Sequence, residues 1–242
     1  MRSYLSAAEI KDYYGIITGY AISLMLIPSF FAHAISTALL PSISESYSKK
    51  DYKQLHYLFR TSMILVFIPT GILCILLSFY SEEYMNLLFK TSNGANYVRY
   101  MAPFFIVFYF QAPIVSILHG LNRSKTVMIN SLFTNVLKLV LIVVLCSQVS
   151  VNANGLPIAM IISSIILTLI NYRVLSKIVK VKVSSITKLK IISVLAITAV
   201  FAYYLKVLDI VFIQSSIITF LVYILIIRIT RLISIKKLLL TI

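Results

Sequence analysis

The chain has 242 residues, of which 60% are hydrophobic and 12% charged, with a mean hydropathy of +0.97 and a formal net charge of +15. A soluble domain has roughly 45–50% apolar and about 25% charged residues, so this composition excludes a soluble globular protein and indicates a polytopic membrane protein. The lysines and arginines lie between apolar runs rather than in one patch, so we expect no nucleic-acid partner.

Seven apolar runs are long enough to cross a bilayer, which needs about 20 helical residues. They are about twice as long as a β-barrel strand and continuously apolar, so the predicted fold class is all-α, a polytopic membrane helix bundle. The seventh follows the sixth after a short turn near Lys206 to Asp209, which predicts a hairpin. The runs cover residues 15–40, 60–80, 99–119, 127–149, 155–175, 190–207 and 210–228.

The distribution of basic residues predicts the orientation of the bundle. If the loop after the first run is cytoplasmic, 16 of the 22 lysines and arginines lie on the cytoplasmic side, five lie outside, and Lys138 lies within the fourth run. Cytoplasmic loops carry an excess of Lys and Arg, so we expect the N-terminus outside and the C-terminus in the cytoplasm.

Prolines interrupt several of the runs. Pro28, Pro69, Pro103 and Pro113 each remove a backbone donor within a run and can kink its helix. Two interpretations stay open, namely broken helices around a moving cavity and ordinary curved packing. Pro41, followed by serines, predicts that the first helix ends where its apolar run ends.

Lys138 lies near the middle of the fourth run, where a charged side chain costs a few kcal/mol. Asn130, Thr134 and Lys138 recur every four residues and therefore share one helix face, with Asn135 beside them. Such a face is expected to point at protein or at a wet cavity. Lys138 is either a cation that attracts an anionic substrate head group or a snorkelling or packing lysine.

Two further polar residues in the runs are candidate substrate contacts. His33 lies within the first run, where a proton relay and a hydrogen-bonded structural histidine are both possible. Gln111 lies between Pro103 and Pro113, where it either lines a cavity or joins two helices.

No catalytic constellation is visible in the sequence. There is no phosphate-binding loop, no credible Ser/His/Asp set, and no metal spacing around Cys74 and Cys146. We therefore expect no enzyme activity, no cofactor and no metal. The acidic residue expected nearest to a membrane span is Asp209, at the hairpin turn.

Three stretches carry a family resemblance. Residues 13–55, "YYGIITGYAISLMLIPSFFAHAISTALLPSISESYSKKDYKQL", resemble a signature of bacterial polysaccharide and lipid-linked oligosaccharide flippases, notably the stage V sporulation protein B group. These belong to the multidrug/oligosaccharidyl-lipid/polysaccharide exporter superfamily. "SILHGLNRSKTVMINSLFTNVLKLVLIVVL" and "NANGLPIAMIIS" resemble later family segments. The matching positions are Tyr14, Gly15, Gly19, Ala21, Pro28, Leu39 to Glu45, Gly120, Lys138, Gly155 and Ala159.

The resemblance implies a fold of two six-helix lobes, often with two added helices. This chain corresponds in that scheme to the eighth to fourteenth spans. Residues 1–175 are then an incomplete C-terminal lobe with five spans, and residues 176–242 are a cytoplasmic basic loop, an added hairpin and a basic tail.

The function that the resemblance implies is export or flipping of a polyprenyl-linked saccharide or cell-wall precursor across the bacterial cytoplasmic membrane. Alternating access moves one lobe against the other, so an N-terminal-half polypeptide is an expected partner, with the bilayer and the lipid-linked saccharide. Two alternatives are a non-transporting membrane interaction protein or inactive remnant, and a cation-coupled drug exporter of the same superfamily. The exporter is expected to need carboxylates within its spans.

Overall fold

The computed structural model describes residues 6–148, 151–179 and 185–230, and within these ranges every regular element is helical. The predicted all-α class is therefore confirmed. A π-helical segment, Ile16–Ala21, joins the first two α-helices, and a 3-10 turn, Asn152–Asn154, precedes the eighth. The α-helices are α1 Ala7–Gly15, α2 Ile22–Ser48, α3 Tyr52–Phe79, α4 Ser81–Phe89, α5 Ala95–Tyr109, α6 Gln111–Gly120, α7 Ser124–Cys146, α8 Gly155–Val179, α9 Ser185–Val207 and α10 Phe212–Ile229.

Seven helical stretches among these residues are long and apolar enough to cross a membrane, and each overlaps one of the seven predicted runs. The chain is therefore a multi-pass membrane protein. The predicted orientation depends partly on residues outside the described ranges and stays a prediction. Those residues are Arg2, Lys180, Lys182, Arg231, Lys236 and Lys237.

The first helical stretch is longer than its apolar run. It extends over 41 residues, Ala8–Ser48, or about 60 Å, against a hydrocarbon core of about 30 Å. The prediction that it ends at Pro41 is wrong, because α2 continues through Pro41 to Ser48. In the turn before that proline, the Ser116 hydroxyl of α6 donates to the Ser36 carbonyl at 2.7 Å. This bond attaches the proline-containing part of α2 to α6, and packing against neighbouring helices is the setting in which membrane helices tolerate proline.

The third span is divided in two. α5 ends at Tyr109 and α6 begins at Gln111, so Phe110 is the joint. Pro113 cannot donate to the Tyr109 carbonyl one turn earlier, which accounts for the break. The Tyr109 hydroxyl in turn donates to the Met25 carbonyl at 2.6 Å, beside Pro28 in α2.

The short helix α4 lies between the second and third spans and was not predicted. Nine residues are too few to cross a membrane. Its first turn holds Glu82 and Glu83, which suit the positive end of a helix dipole. Glu82 also accepts from Arg99 of α5 at 2.8 Å, so α4 is tied to the start of the third span.

The core is formed by α2, α3, α5 and α6. On one side, α7 and α8 pair with each other and lie against α5 and α6. The start of α8 lies very close to the end of α7. A Cβ atom on Gly155 would lie 2.8 Å from the backbone nitrogen of Cys146, and glycine avoids that clash. On the other side, α9 and α10 pack together and against α3, so the predicted hairpin is confirmed.

Polar contacts attach the hairpin to the core. The Lys206 ammonium donates to the Phe79 carbonyl at the end of α3 and lies 3.9 Å from the Glu83 carboxylate. The Tyr223 hydroxyl of α10 donates to the Phe67 carbonyl at 3.1 Å. A cation at the end of α3 and a buried hydroxyl near its middle therefore fix the hairpin at two levels.

Candidate functional site

Three cavities form a row in the bundle. The large one lies between the start of the first helical stretch and α7 and α8, the middle one is lined by α2, α5, α6, α7 and α8, and the small one lies between α2 and the joint of α5 and α6. Their volumes are about 580, 160 and 110 Å³, and we call them the large, middle and small cavities. Lys138 borders both the large and the middle cavity. Gln111 borders both the middle and the small cavity. Two predicted site residues therefore lie at the two junctions of this row.

The large cavity is mostly apolar. Its walls come from α1, the π segment and the start of α2 on one side, and from α7 and α8 on the other. Lys138 is the charged side chain on its wall. The other lining residues are Ile10, Tyr13, Tyr14, Ile17, Thr18, Ile22, Leu139, Ile142, Cys146, Asn152, Ala153, Leu156 and Met160.

The middle cavity concentrates the polar side chains of this region. Thr134, Asn135 and Lys138 reach it from α7, Gln111 from α6, and Ser163 and Ser164 from α8. The two serines were missed by the sequence reasoning, although the pair stands out in the apolar stretch "AMIISSIILTL". A polar pocket therefore adjoins an apolar cavity, with Lys138 between them.

Lys138 is half-buried and forms no ion pair with any residue that the structure describes. It lies near the middle of α7, whose outer face is largely exposed and apolar. A cation held at this depth without a counter-charge is costly unless a wet cavity or an anion compensates it. The geometry suits an anionic group placed at the junction of the large and middle cavities.

Asn130 and Thr134 share the predicted face with Lys138 but make different contacts. The Asn130 amide donates to the Asn171 side-chain oxygen of α8 at 2.8 Å, and Asn130 borders none of the three cavities. Thr134 is buried and donates to the Asn130 carbonyl at 2.8 Å. Asn130 therefore joins α7 to α8, whereas Thr134 borders the middle cavity with its donor already used.

Gln111 and His33 meet at the small cavity. The Gln111 side-chain oxygen is buried and has no hydrogen-bond partner in the described part of the chain. His33 is exposed, and its ring makes no hydrogen bond with the residues described. The row of cavities thus extends from Lys138 past Gln111 to His33.

The acidic residues lie differently from what the sequence suggested. Asp209 was expected to be the carboxylate nearest to a span, and this is wrong, because Glu9, Asp12 and Glu45 belong to the first continuous helix. All three are near the ends of that helix and exposed. Within the described ranges, no three His, Cys, Asp or Glu side chains are grouped to hold a metal ion.

The fold and the row of cavities define a polytopic α-helical membrane protein with an interior polar pocket. Residues 17–144, more than half of the chain, match the MatE family. The chain therefore belongs to the MatE family, and the resemblance to the exporter superfamily is confirmed. No solved structure matches the chain.

Three relatives from Bacillus subtilis (strain 168) are similar to the chain. Stage V sporulation protein B is 33% identical over 170 residues, which are 70% of this chain and 33% of that protein. Sporulation protein YkvU is 26% identical over 173 residues, 71% of this chain and 39% of that protein. Lipid II flippase MurJ is 30% identical over 140 residues, 54% of this chain and 25% of that protein. The chain thus spans a quarter to two-fifths of these relatives.

Proposed function

We propose that the chain is part of a flippase that moves a polyprenyl-linked saccharide or cell-wall precursor across the bacterial cytoplasmic membrane. The observation that carries this proposal is the position of Lys138, a cation without an ion-pair partner among the described residues, between an apolar cavity and a polar one. An amphiphile with a phosphate between its hydrocarbon chain and its sugar matches that order of surfaces. The similarity to a protein named lipid II flippase adds support.

The proposed arrangement follows the family scheme. Residues 1–175 form a partial lobe, residues 176–242 add the hairpin with its basic flanks, and the C-terminus is cytoplasmic. The chain spans at most two-fifths of its relatives, and alternating access requires a second lobe. We therefore include an N-terminal-half polypeptide as a partner. The genomic sequence upstream of the Met1 codon tests this, since an adjacent frame with seven apolar runs would provide that partner.

The test of function is a flipping assay in vesicles that contain both polypeptides and a fluorescent polyprenyl-linked saccharide. Lys138→Ala is expected to lower the rate about tenfold, the equivalent of about 1.4 kcal/mol, because it removes a charge-assisted contact. The matched control is Lys125→Ala, which removes an exposed lysine from the first turn of the same helix. A full rate in the Lys138→Ala variant would remove the proposed substrate contact.

The same assay separates the alternatives. Absence of flipping with both polypeptides present would favour a non-transporting membrane interaction protein or an inactive remnant. Export of an organic cation in exchange for protons or sodium, without movement of the lipid, would favour a drug exporter.

A further inference from the structure

Three hydroxyl groups on the wall of the middle cavity already donate their protons within the protein. The Ser163 hydroxyl donates to the Met160 carbonyl at 3.0 Å, and the Ser164 hydroxyl donates to the Ile161 carbonyl at 2.8 Å. Thr134 likewise donates to a carbonyl of its own helix. A hydroxyl oxygen that has given its proton to a carbonyl still has lone pairs, so these three side chains face the cavity as acceptors.

Gln111 adds an acceptor that has no donor. Its buried side-chain oxygen lies at the junction of the middle and small cavities without a hydrogen bond to the described residues. A buried polar atom without a partner costs roughly 1–3 kcal/mol, so its retention calls for an explanation. A single water needs only about 10–15 Å³, whereas the middle cavity measures about 160 Å³, so there is room for a larger group.

The small cavity continues this pattern beyond Gln111. The Tyr109 hydroxyl donates to the Met25 carbonyl at 2.6 Å, and the Ser29 hydroxyl donates to the Leu26 carbonyl at 2.5 Å. Both residues line the small cavity with Gln111 and His33. The wall of hydroxyl and amide oxygens therefore extends on both sides of Gln111.

Charge and hydrogen-bonding capacity thus change along the row. Lys138 provides an ammonium, which binds phosphate oxygens. The Gln111 oxygen and the hydroxyl oxygens beside it are acceptors, which a second phosphate cannot satisfy because it is itself an acceptor at neutral pH. A polyol is complementary to them, since each sugar hydroxyl has a proton to donate.

We infer that Gln111 is a specificity residue that accepts a hydrogen bond from a sugar hydroxyl of the lipid-linked substrate, while Lys138 binds the phosphate. This inference rests on the proposed function, because it takes a saccharide-carrying lipid as the ligand. It adds the direction of the substrate, with the sugar toward the small cavity and His33. It also separates recognition of the sugar from recognition of the charge.

The experiment measures binding of two lipids to the full 242-residue chain in nanodiscs. The lipids are a polyprenyl phosphate and the same polyprenyl phosphate carrying one hexose, each in competition with a fluorescent polyprenyl phosphate. Unmodified protein is expected to prefer the glycosylated lipid about tenfold, because a site built to bond a hydroxyl discriminates against a ligand without it. Gln111→Leu is expected to reduce that ratio to about one and to leave affinity for the sugar-free lipid unchanged.

Lys138→Met separates recognition of the phosphate from recognition of the sugar. This variant is expected to bind both lipids more weakly by the same factor, so that the ratio of the two affinities is unchanged. If Lys138→Met binds both lipids as tightly as the unmodified protein, the proposed phosphate contact is wrong. If the ratio of the two affinities is unchanged in Gln111→Leu, the inference about the sugar is overturned.

Protein stability provides a second readout. Replacing Gln111, whose buried oxygen has no partner, by leucine is expected to leave the unfolding temperature equal or higher, because no hydrogen bond to the described residues is lost. Asn130→Ala is the structural control, and it is expected to lower the unfolding temperature while the lipid ratio stays unchanged. If the leucine variant does not accumulate, Gln111→Met, which keeps the length of the side chain, is measured in its place with the same expected ratio.

Discussion

The hairpin side and the cavity side of the core use similar polar residues in opposite ways. On the hairpin side, Lys206 reaches the Phe79 carbonyl and Tyr223 reaches the Phe67 carbonyl. On the cavity side, Lys138 has no ion-pair partner among the described residues, and the Gln111 oxygen accepts no hydrogen bond from them. A polar group that bonds a neighbouring helix holds the bundle together, whereas one that borders a cavity without a partner is available to a ligand.

Glycine substitutions on the two sides should show the largest difference. A Cβ atom on Gly71 of α3 would lie 2.6 Å from the Tyr223 hydroxyl, which is fully buried, whereas one on Gly19 would meet no atom within 4 Å. Gly71→Ala is therefore expected to lower the free energy of unfolding by about 2 kcal/mol through overpacking and loss of the Tyr223 contact. Gly19→Ala is expected to be neutral or stabilising by up to about 1 kcal/mol.

Unfolding of both glycine variants in detergent micelles, followed by circular dichroism, checks this expectation. Equal losses of stability in the two variants would contradict it, because Gly71 would then be no more tightly packed than Gly19.

The two lysines provide the second comparison. Lys206→Met is expected to lower the free energy of unfolding by about 1–2 kcal/mol, since it removes a charged donor from a carbonyl but from a partly exposed position. Lys138→Met is expected to leave stability unchanged or slightly raised, because no ion pair with a described residue is lost and the burden of an intramembrane cation is removed. The measurement is urea or thermal unfolding of both variants under one condition, and a greater loss in Lys138→Met would reverse the assignment.

Two tyrosine hydroxyls on the hairpin side provide the smallest and most graded test. Tyr223→Phe removes a hydrogen bond of 3.1 Å within the bundle and is expected to cost about 0.6 kcal/mol, an average for such bonds in membrane proteins. Tyr84→Phe removes a contact of 3.4 Å to the Ser216 hydroxyl and is expected to cost less. Proteolysis of the hairpin under native conditions should follow the same order, and the reverse order would contradict it.

The membrane spans could be predicted from the sequence because each needs a long apolar run, and all seven are present. Helix ends could not be predicted, since Pro41 marks the end of an apolar run but not the end of α2, which continues to Ser48. The polar face of α7 was also visible from spacing alone. On that face Lys138 borders a pocket, whereas Asn130 contacts Asn171 of α8. Spacing within α7 could not predict this difference, because it depends on the position of Asn171 on another helix.

The π segment Ile16–Ala21 sets the rotation of the first helix about its own axis. Each residue advances an α-helix by about 100°. A π turn accommodates one extra residue, so it rotates the side chains before the segment about the helix axis relative to those after it. Tyr13 and Tyr14 before the segment and Ile22 after it nevertheless line the same large cavity. Deleting Gly19 from the segment would turn the two tyrosines about a quarter of a revolution away from Ile22, and the large cavity would lose its aromatic rim although none of its lining residues had been replaced.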